Sequence, residues 1–194
     1  LITGDELIPP GERRPPGAIW ESNGTLLESL LIRLGYQVAQ RRVVADDPAA
    51  LRLALQELAA GSDVVVSTGG VSAGDSDWIR PLLAELGEVA FWKLFLKPGR
   101  PFAFGSLQGP SGQAIPFFGL PGNPVAAAIT ALQLLWPALQ QLEGAKPQLL
   151  PRFQLPLAQD LRRRAGRPEL ARARLHVDGC GAPMAWLEGS QASS

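Results

Sequence analysis

The stretch Val64-Val65-Val66-Ser67-Thr68-Gly69-Gly70-Val71-Ser72-Ala73-Gly74-Asp75-Ser76-Asp77 constrains this chain more than any other. A β-branched apolar run stops in Thr-Gly-Gly, passes through small residues, and closes on acids ahead of a helix-like segment. That pattern predicts a strand buried on both faces, a loop with almost no side-chain bulk, and a helix start. Glycines let the backbone take positive φ and let a ligand approach the main chain closely. Consecutive N–H groups in such a loop form an anion cradle, and the two acids suit a divalent cation beside a bound phosphate. The plainer alternative is a tight strand-to-helix turn capped by Asp77.

The rest of the chain decides what surrounds this loop. Leu1 and Ile2 read as the end of a strand entering the acidic loop Gly4-Asp5-Glu6, and residues 9–17 hold too many prolines for regular structure. A helix capped by Ser22 or Asn23 is expected from Leu26, Leu27, Leu30, Leu31 and Leu34, with Gly35 as its stop. Tyr36 to Val44 predicts a short strand, and Asp46-Asp47-Pro48 opens a second helix ending before Gly61. After the glycine loop, Trp78 to Leu86 predicts a helix closed by Gly87, and Val89–Trp92 a strand. Phe102–Phe104 and Ile115–Phe118 predict two strands joined by a polar hairpin. Asn123 then caps a helix, with Pro124 at its first position, that runs to Leu142. Alternation of strand and helix argues an α/β fold with a largely parallel sheet flanked by helices over residues 1–145, with ligand loops at the carboxyl ends of the strands. From residue 146 the pattern changes: a Pro-marked linker, then short β patterns at Phe153–Leu155 and Leu170–Leu175, read as part of a small β domain over 146–194.

Composition narrows the chemistry. The formal net charge is zero, which gives no global attraction to nucleic acid or an anionic membrane. No stretch is expected to span a membrane. One cysteine and one histidine, Cys180 and His176, leave no cysteine or histidine metal cluster, and the lone cysteine fits a reducing compartment. No Ser/His pair for acyl transfer stands out. Carboxylates, cations and glycine loops gathered on one sheet edge suit a phosphate-bearing ligand with a divalent metal. Taken singly, Asp46 or Asp47 is most simply a helix cap, Glu6 a loop-orienting acid, and Lys93 and Lys97 solvated cations.

Five co-ordered motifs carry a family resemblance. They are the glycine loop Thr68–Asp77, Phe91-Trp92-Lys93, Lys97-Pro98-Gly99-Arg100-Pro101-Phe102-Ala103-Phe104-Gly105, Leu120-Pro121-Gly122-Asn123-Pro124-Val125, and Gly4-Asp5-Glu6-Leu7 with Asp46-Asp47-Pro48. Gly166-Arg167-Pro168-Glu169-Leu170-Ala171-Arg172 adds a less specific match. Together they closely resemble the MoeA-type molybdopterin molybdotransferases of molybdenum cofactor synthesis, a family that includes gephyrin. Two positions depart from the family pattern while keeping charge: Asp75 replaces a Glu, and Arg100 a Lys.

The resemblance implies an α/β domain followed by a small C-terminal β-barrel, which this chain would hold only in part, and two N-terminal domains outside it. It also implies insertion of molybdate into adenylylated molybdopterin with release of AMP, assisted by Mg²⁺. Glu6, Asp46 and Asp77 match the family's active-site acids and metal ligands, and Lys97 joins them as a catalytic group. Thr68, Gly69, Gly70, Ser72, Gly74, Lys93, Pro98, Pro121, Pro124 and Arg172 match cofactor-binding positions, and Ser190 a family serine motif. A cytoplasmic homodimer that makes transient contact with the adenylyltransferase is implied for the full-length protein; the fragment by itself is expected to lack turnover. Two rivals share the fold: the molybdopterin adenylyltransferase, and a non-catalytic gephyrin-like scaffold that binds peptides.

Overall fold

A computed structural model describes residues 1–71, 78–163 and 165–188. Its centre is β5 (Val65–Thr68), the second half of the valine run. Val65 packs with Leu51, Leu55, Leu58, Ile79, Leu83 and Phe117 on one face, while Val64 and Val66 pack on the other against Phe118, Leu120, Ala127 and Leu135. Alternate residues of one strand therefore feed two separate cores, as the period of two requires. Helices α2 (Pro48–Ala60) and α3 (Ile79–Leu86) cover the first face. The second is covered by α1 (Asn23–Arg33) and by the helical run Pro124–Leu142.

The remaining sheet strands are β1 (Ile2–Thr3), β4 (Val43–Val44), β6 (Gly87–Trp92), β7 (Ala103–Gln108) and β8 (Ala114–Leu120). Their order across the sheet is β4-β1-β5-β8-β7-β6. The β4-β1, β1-β5 and β5-β8 pairs are parallel, and the β8-β7 and β7-β6 pairs antiparallel. The sheet is thus mixed, and the expectation of a largely parallel sheet holds only for the half nearest the N-terminus. The cause is local: residues 109–113 are too few for a crossover, so β7 and β8 pair as a hairpin.

Three other expectations shift. Of the strand expected over 36–44 only Val43–Val44 forms, because β1 presents only Ile2 and Thr3 as partners. Ser22 stands at the N-cap of α1 without a side-chain bond; Glu21 Oε1 accepts from Gly24 N at 2.6 Å instead. The helix expected from Pro124 to Leu142 is divided into α4 (Pro124–Thr130), a π-helical turn (Ala131–Leu135) and α5 (Trp136–Leu142). Pro137 has no N–H and its ring crowds the carbonyl four residues back, which the wider turn relieves. This 19-residue run is apolar and long enough to cross a membrane, contrary to the sequence expectation, but Ala127, Ala131, Leu135 and Leu139 are buried in the second core. Core packing accounts for its apolarity.

Beyond residue 146, β9 (Ala173–Val177) and β10 (Pro183–Leu187) pair antiparallel. Phe153–Leu155 forms no strand. A short two-stranded parallel ladder, β2 (Leu7–Ile8) with β3 (Ile19–Trp20), brackets the Pro-rich segment.

The chain enters β1 already bonded to β5, Leu1 N donating to Val66 O at 2.8 Å.

Candidate active site at the carboxyl edge of the sheet

The register places the expected loops side by side. Ile2 pairs with Thr68 and with Val43, and Thr68 with Leu120, so β1, β4, β5 and β8 end on one edge. Ser67 pairs with Gly119, Gly119 with Ala103, and Ala103 with Trp92, which brings the end of β6 to the same edge. Lys93 therefore stands three strands from β5, about 14 Å away at the usual strand spacing. Gly4-Asp5-Glu6, Asp46, Thr68-Gly69-Gly70, Lys93 and Leu120–Pro124 share the edge.

Each loop is held by an identifiable contact. Gly69 and Gly70 take φ of +81° and +62°. A Cβ on Gly69 would collide with the carbonyl oxygen of Thr3, so only glycine lets β5 turn over the end of β1. The Thr3 hydroxyl donates to Asp46 Oδ1, and Asp46 N donates to Asp5 Oδ1 at 2.9 Å. Asp47, not Asp46, caps α2, accepting from Ala50 N at 2.8 Å. That separates the two acids: one serves the helix, the other faces the loop after β1. Glu6 is exposed, with its carboxylate folded back near Gly4. Asn123 caps α4 through Ala126 N at 3.1 Å, Pro124 occupies the first helical position, and Pro121 is buried.

Lys93 has φ of +77°, the only described non-glycine residue in the left-handed region. Its backbone is fixed on both sides, by Lys93 N to Phe102 O at 2.8 Å and Leu94 N to Arg100 O at 2.9 Å. A side chain in this conformation is strained by about 1 kcal/mol or more. Lys97 is exposed and lies at a ladder with the C-terminal part: Lys97 N donates to Pro168 O and Leu170 N to Lys97 O. Its Nζ lies 3.3 Å from Glu169 Oε1, and Arg163 Nε lies 3.2 Å from Glu169 Oε2. Pro98 is half-buried beside it. Arg172 is exposed just ahead of β9, its carbonyl accepting from Glu188 N at 3.1 Å. Ser72, Gly74, Asp75, Asp77 and Ser190 lie outside the described residues.

Among the described residues no three His, Cys, Asp or Glu form a metal cluster. The donors at the edge, Glu6 and Asp46, are hard oxygen ligands of the kind a divalent cation takes. A cavity of about 310 Å³ lies under α1, bounded by Leu1, Leu27, Arg41, Leu58 and Val64. It reaches Thr68 from below, but Glu6, Asp46, Gly69 and Lys93 do not line it.

Asn23 is expected from sequence only as a candidate cap of its own helix, and Glu21 and Glu169 carry no expected role. Asn23 Nδ2 donates to Gly122 O at 2.7 Å and to Thr68 Oγ1 at 3.2 Å, joining two of the edge loops. Glu21 closes the N-terminus of α1, and Glu169 is the counter-ion of Lys97. The only available signal was their position: two residues flanking a helix start, and one acid within Gly166–Arg172.

Comparison with known proteins places the chain in a family. Residues 1–141 match the family described as "Probable molybdopterin binding domain". A molybdopterin molybdenumtransferase of Haemophilus influenzae is 35% identical over 179 residues, covering 92% of this chain and 43% of that protein. The molybdenum cofactor synthesis protein cinnamon of Drosophila melanogaster is 35% identical over 145 residues, 74% of this chain and 23% of its own length. The molybdopterin biosynthesis MoeA protein of Pyrococcus horikoshii superposes with a TM-score of 0.62 at 31% identity, over 74% of this chain and 34% of that one. The chain spans less than half the length of these relatives. By its loops, its sheet order and these matches, the chain belongs to the molybdopterin-binding domain family.

Proposed function

We propose that this chain is the molybdopterin-binding part of a molybdopterin molybdotransferase, which inserts molybdate into adenylylated molybdopterin and releases AMP. The observation that supports it best is the meeting at one sheet edge of a bulk-free glycine loop, two carboxylates and a lysine held at positive φ. The amides of Gly69 and Gly70, with Thr68, Ser72 and Gly74, would receive the phosphate-bearing end of the substrate. Pro121 and Pro124 would shape the opposite wall. Glu6, Asp46 and Asp77 are the residues that would hold Mg²⁺. Bound there, it would neutralise the charge of the adenylate anhydride and of the departing AMP.

Molybdate is substrate in this scheme, a doubly charged oxyanion that needs fixed cationic donors. Lys93, Lys97, Pro98 and Arg172 are the candidates. Glu169 already neutralises Lys97 in part, so an oxyanion arriving there competes with a carboxylate. The reading carries with it a cytoplasmic homodimer, transient contact with the adenylyltransferase, and a C-terminal segment that completes a small β-barrel.

The direct test is molybdate-dependent release of AMP from adenylylated molybdopterin by the full-length protein; no release at saturating Mg²⁺ would remove the proposal. Within that assay, Asp77→Asn separates a cap from a metal ligand, because Asn caps about as well as Asp but ligates a hard cation poorly. Thermal stability should be unchanged while AMP release falls at least roughly tenfold, about 1.4 kcal/mol. Full turnover would make Asp77 a cap.

Lys93 offers a second separation. Lys93→Gly removes both the amine and the strain of a positive φ, and is expected to leave the thermal midpoint unchanged or slightly raised. AMP release should nevertheless drop by about tenfold. Lys97→Ala should weaken molybdate binding while leaving nucleotide binding intact, and equal loss of both would indicate a folding defect.

A further inference from the structure

Two buried side-chain polar atoms have no hydrogen-bond partner among the described residues, Asn23 Oδ1 and Ser67 Oγ. Ser67 and Thr68 are successive residues of β5 and present their side chains to opposite faces, and it is Asn23, bonded to Thr68 on the α1 face, that stands where β5 ends and the glycine loop begins. Buried polar groups are nearly always satisfied, and an exception marks a place where something other than stability is served.

Asn23 is 7% exposed and is the first residue of α1. The carbonyl of Gly122 can only accept, so the side-chain atom 2.7 Å from it must be the amide nitrogen. The same NH₂ group donates to Thr68 Oγ1. Gly122 and Gly69 are near each other: a Cβ on Gly122 would lie 3.6 Å from Gly69 Cα. One NH₂ group therefore spans the junction of two loops, reaching 45 residues along the chain in one direction and 99 in the other. Its own helix end is anchored separately, since Gly24 N is held by Glu21 Oε1, and Glu21 in turn by Arg41. The amide is presented from a fixed base.

We propose that Asn23 is a positioning residue whose side-chain NH₂ fastens the end of β5 to the β8–α4 loop and so sets the gap between Gly69-Gly70 and Gly122. Its unpaired Oδ1 is the cost of that arrangement: a residue chosen for burial alone would carry no acceptor here. The consequence for binding, that a loosened gap holds a phosphate less well, rests on the reading given under Proposed function. The mechanical consequence does not.

The experiment uses the full-length native protein with two pairs of readouts. Asn23→Leu keeps the approximate shape and removes the donor, and Thr68→Val removes one acceptor without changing size. Hydrogen exchange at the bonded amides on either side of the gap, Thr68 N on Leu1 O and Ala127 N on Asn123 O, should quicken by roughly fivefold to tenfold in Asn23→Leu, as for the loss of one restraining hydrogen bond. Thr68→Val should reproduce this at the residue 68 amide, and Thr68→Ser, which keeps the hydroxyl, should restore slow exchange. Affinity for AMP with Mg²⁺, the probe for the gap, should weaken in step while the thermal midpoint stays within a few degrees. If Asn23→Leu fails to fold, the Thr68 pair alone decides. Unchanged exchange in Thr68→Val and Asn23→Leu overturns the fastening role. Faster exchange with unaltered AMP affinity keeps the fastening and overturns the placement of phosphate at this edge.

Discussion

The rest of this structure depends on how closely β5 passes the end of β1. Thr68 N donates to Leu1 O, and the next residue, Gly69, turns across the carbonyl of Thr3 with no room for a Cβ. Because the turn is made at that carbonyl, Thr3 keeps its hydroxyl free to meet Asp46. Asp46 in turn holds the Asp5 side chain through its own N–H. A single steric allowance thus brings three loops from residues 3–5, 46 and 69 into one assembly. Any larger residue at 69 would have to separate β5 from β1, and with them the two cores that β5 joins.

The order of strands gives that assembly its setting. The parallel strands β4, β1, β5 and β8 all end on one edge, which is why Asp46, Gly69 and Leu120 meet. The antiparallel meander β6–β7–β8 places β6 parallel to β8 again, two strands further out. Lys93 thereby reaches the same edge, three strands from the start of the glycine loop. Lys97, beyond it, is turned to the C-terminal segment through Glu169. The edge is graded from carboxylates at β1 and β4 to cations past β6.

What could be read from the sequence was whatever local chemistry dictates. The glycine loop, the Asp47-Pro48 and Asn123-Pro124 helix starts, and the β7–β8 hairpin follow from backbone demands that a few neighbouring residues meet. The mixed sheet is half legible, since a short polar hairpin predicts two adjacent antiparallel strands but not the direction of the strands beyond them. The π-helical turn was hidden because Pro137 was absorbed into an apolar run. The long-range roles of Asn23, expected only as a helix cap, and of Glu169 are not legible for another reason. Their partners stand far along the chain, so their roles exist only once the sheet has formed.

The closed N-terminus of α1 bears on where an anion can sit. A helix start beside a glycine loop is ordinarily the better anion site, because its dipole and free N–H groups point outward. Here Glu21 is 2% exposed, accepts from Gly24 N, and is matched by Arg41. The helix already has its negative charge, and a phosphate brought to it would meet a carboxylate. α4, by contrast, opens on Asn123, a neutral cap that accepts from Ala126 N at 3.1 Å. The start of α1 is therefore sealed against an anion, and its fixed end serves instead to hold Asn23 against Gly122 and Thr68.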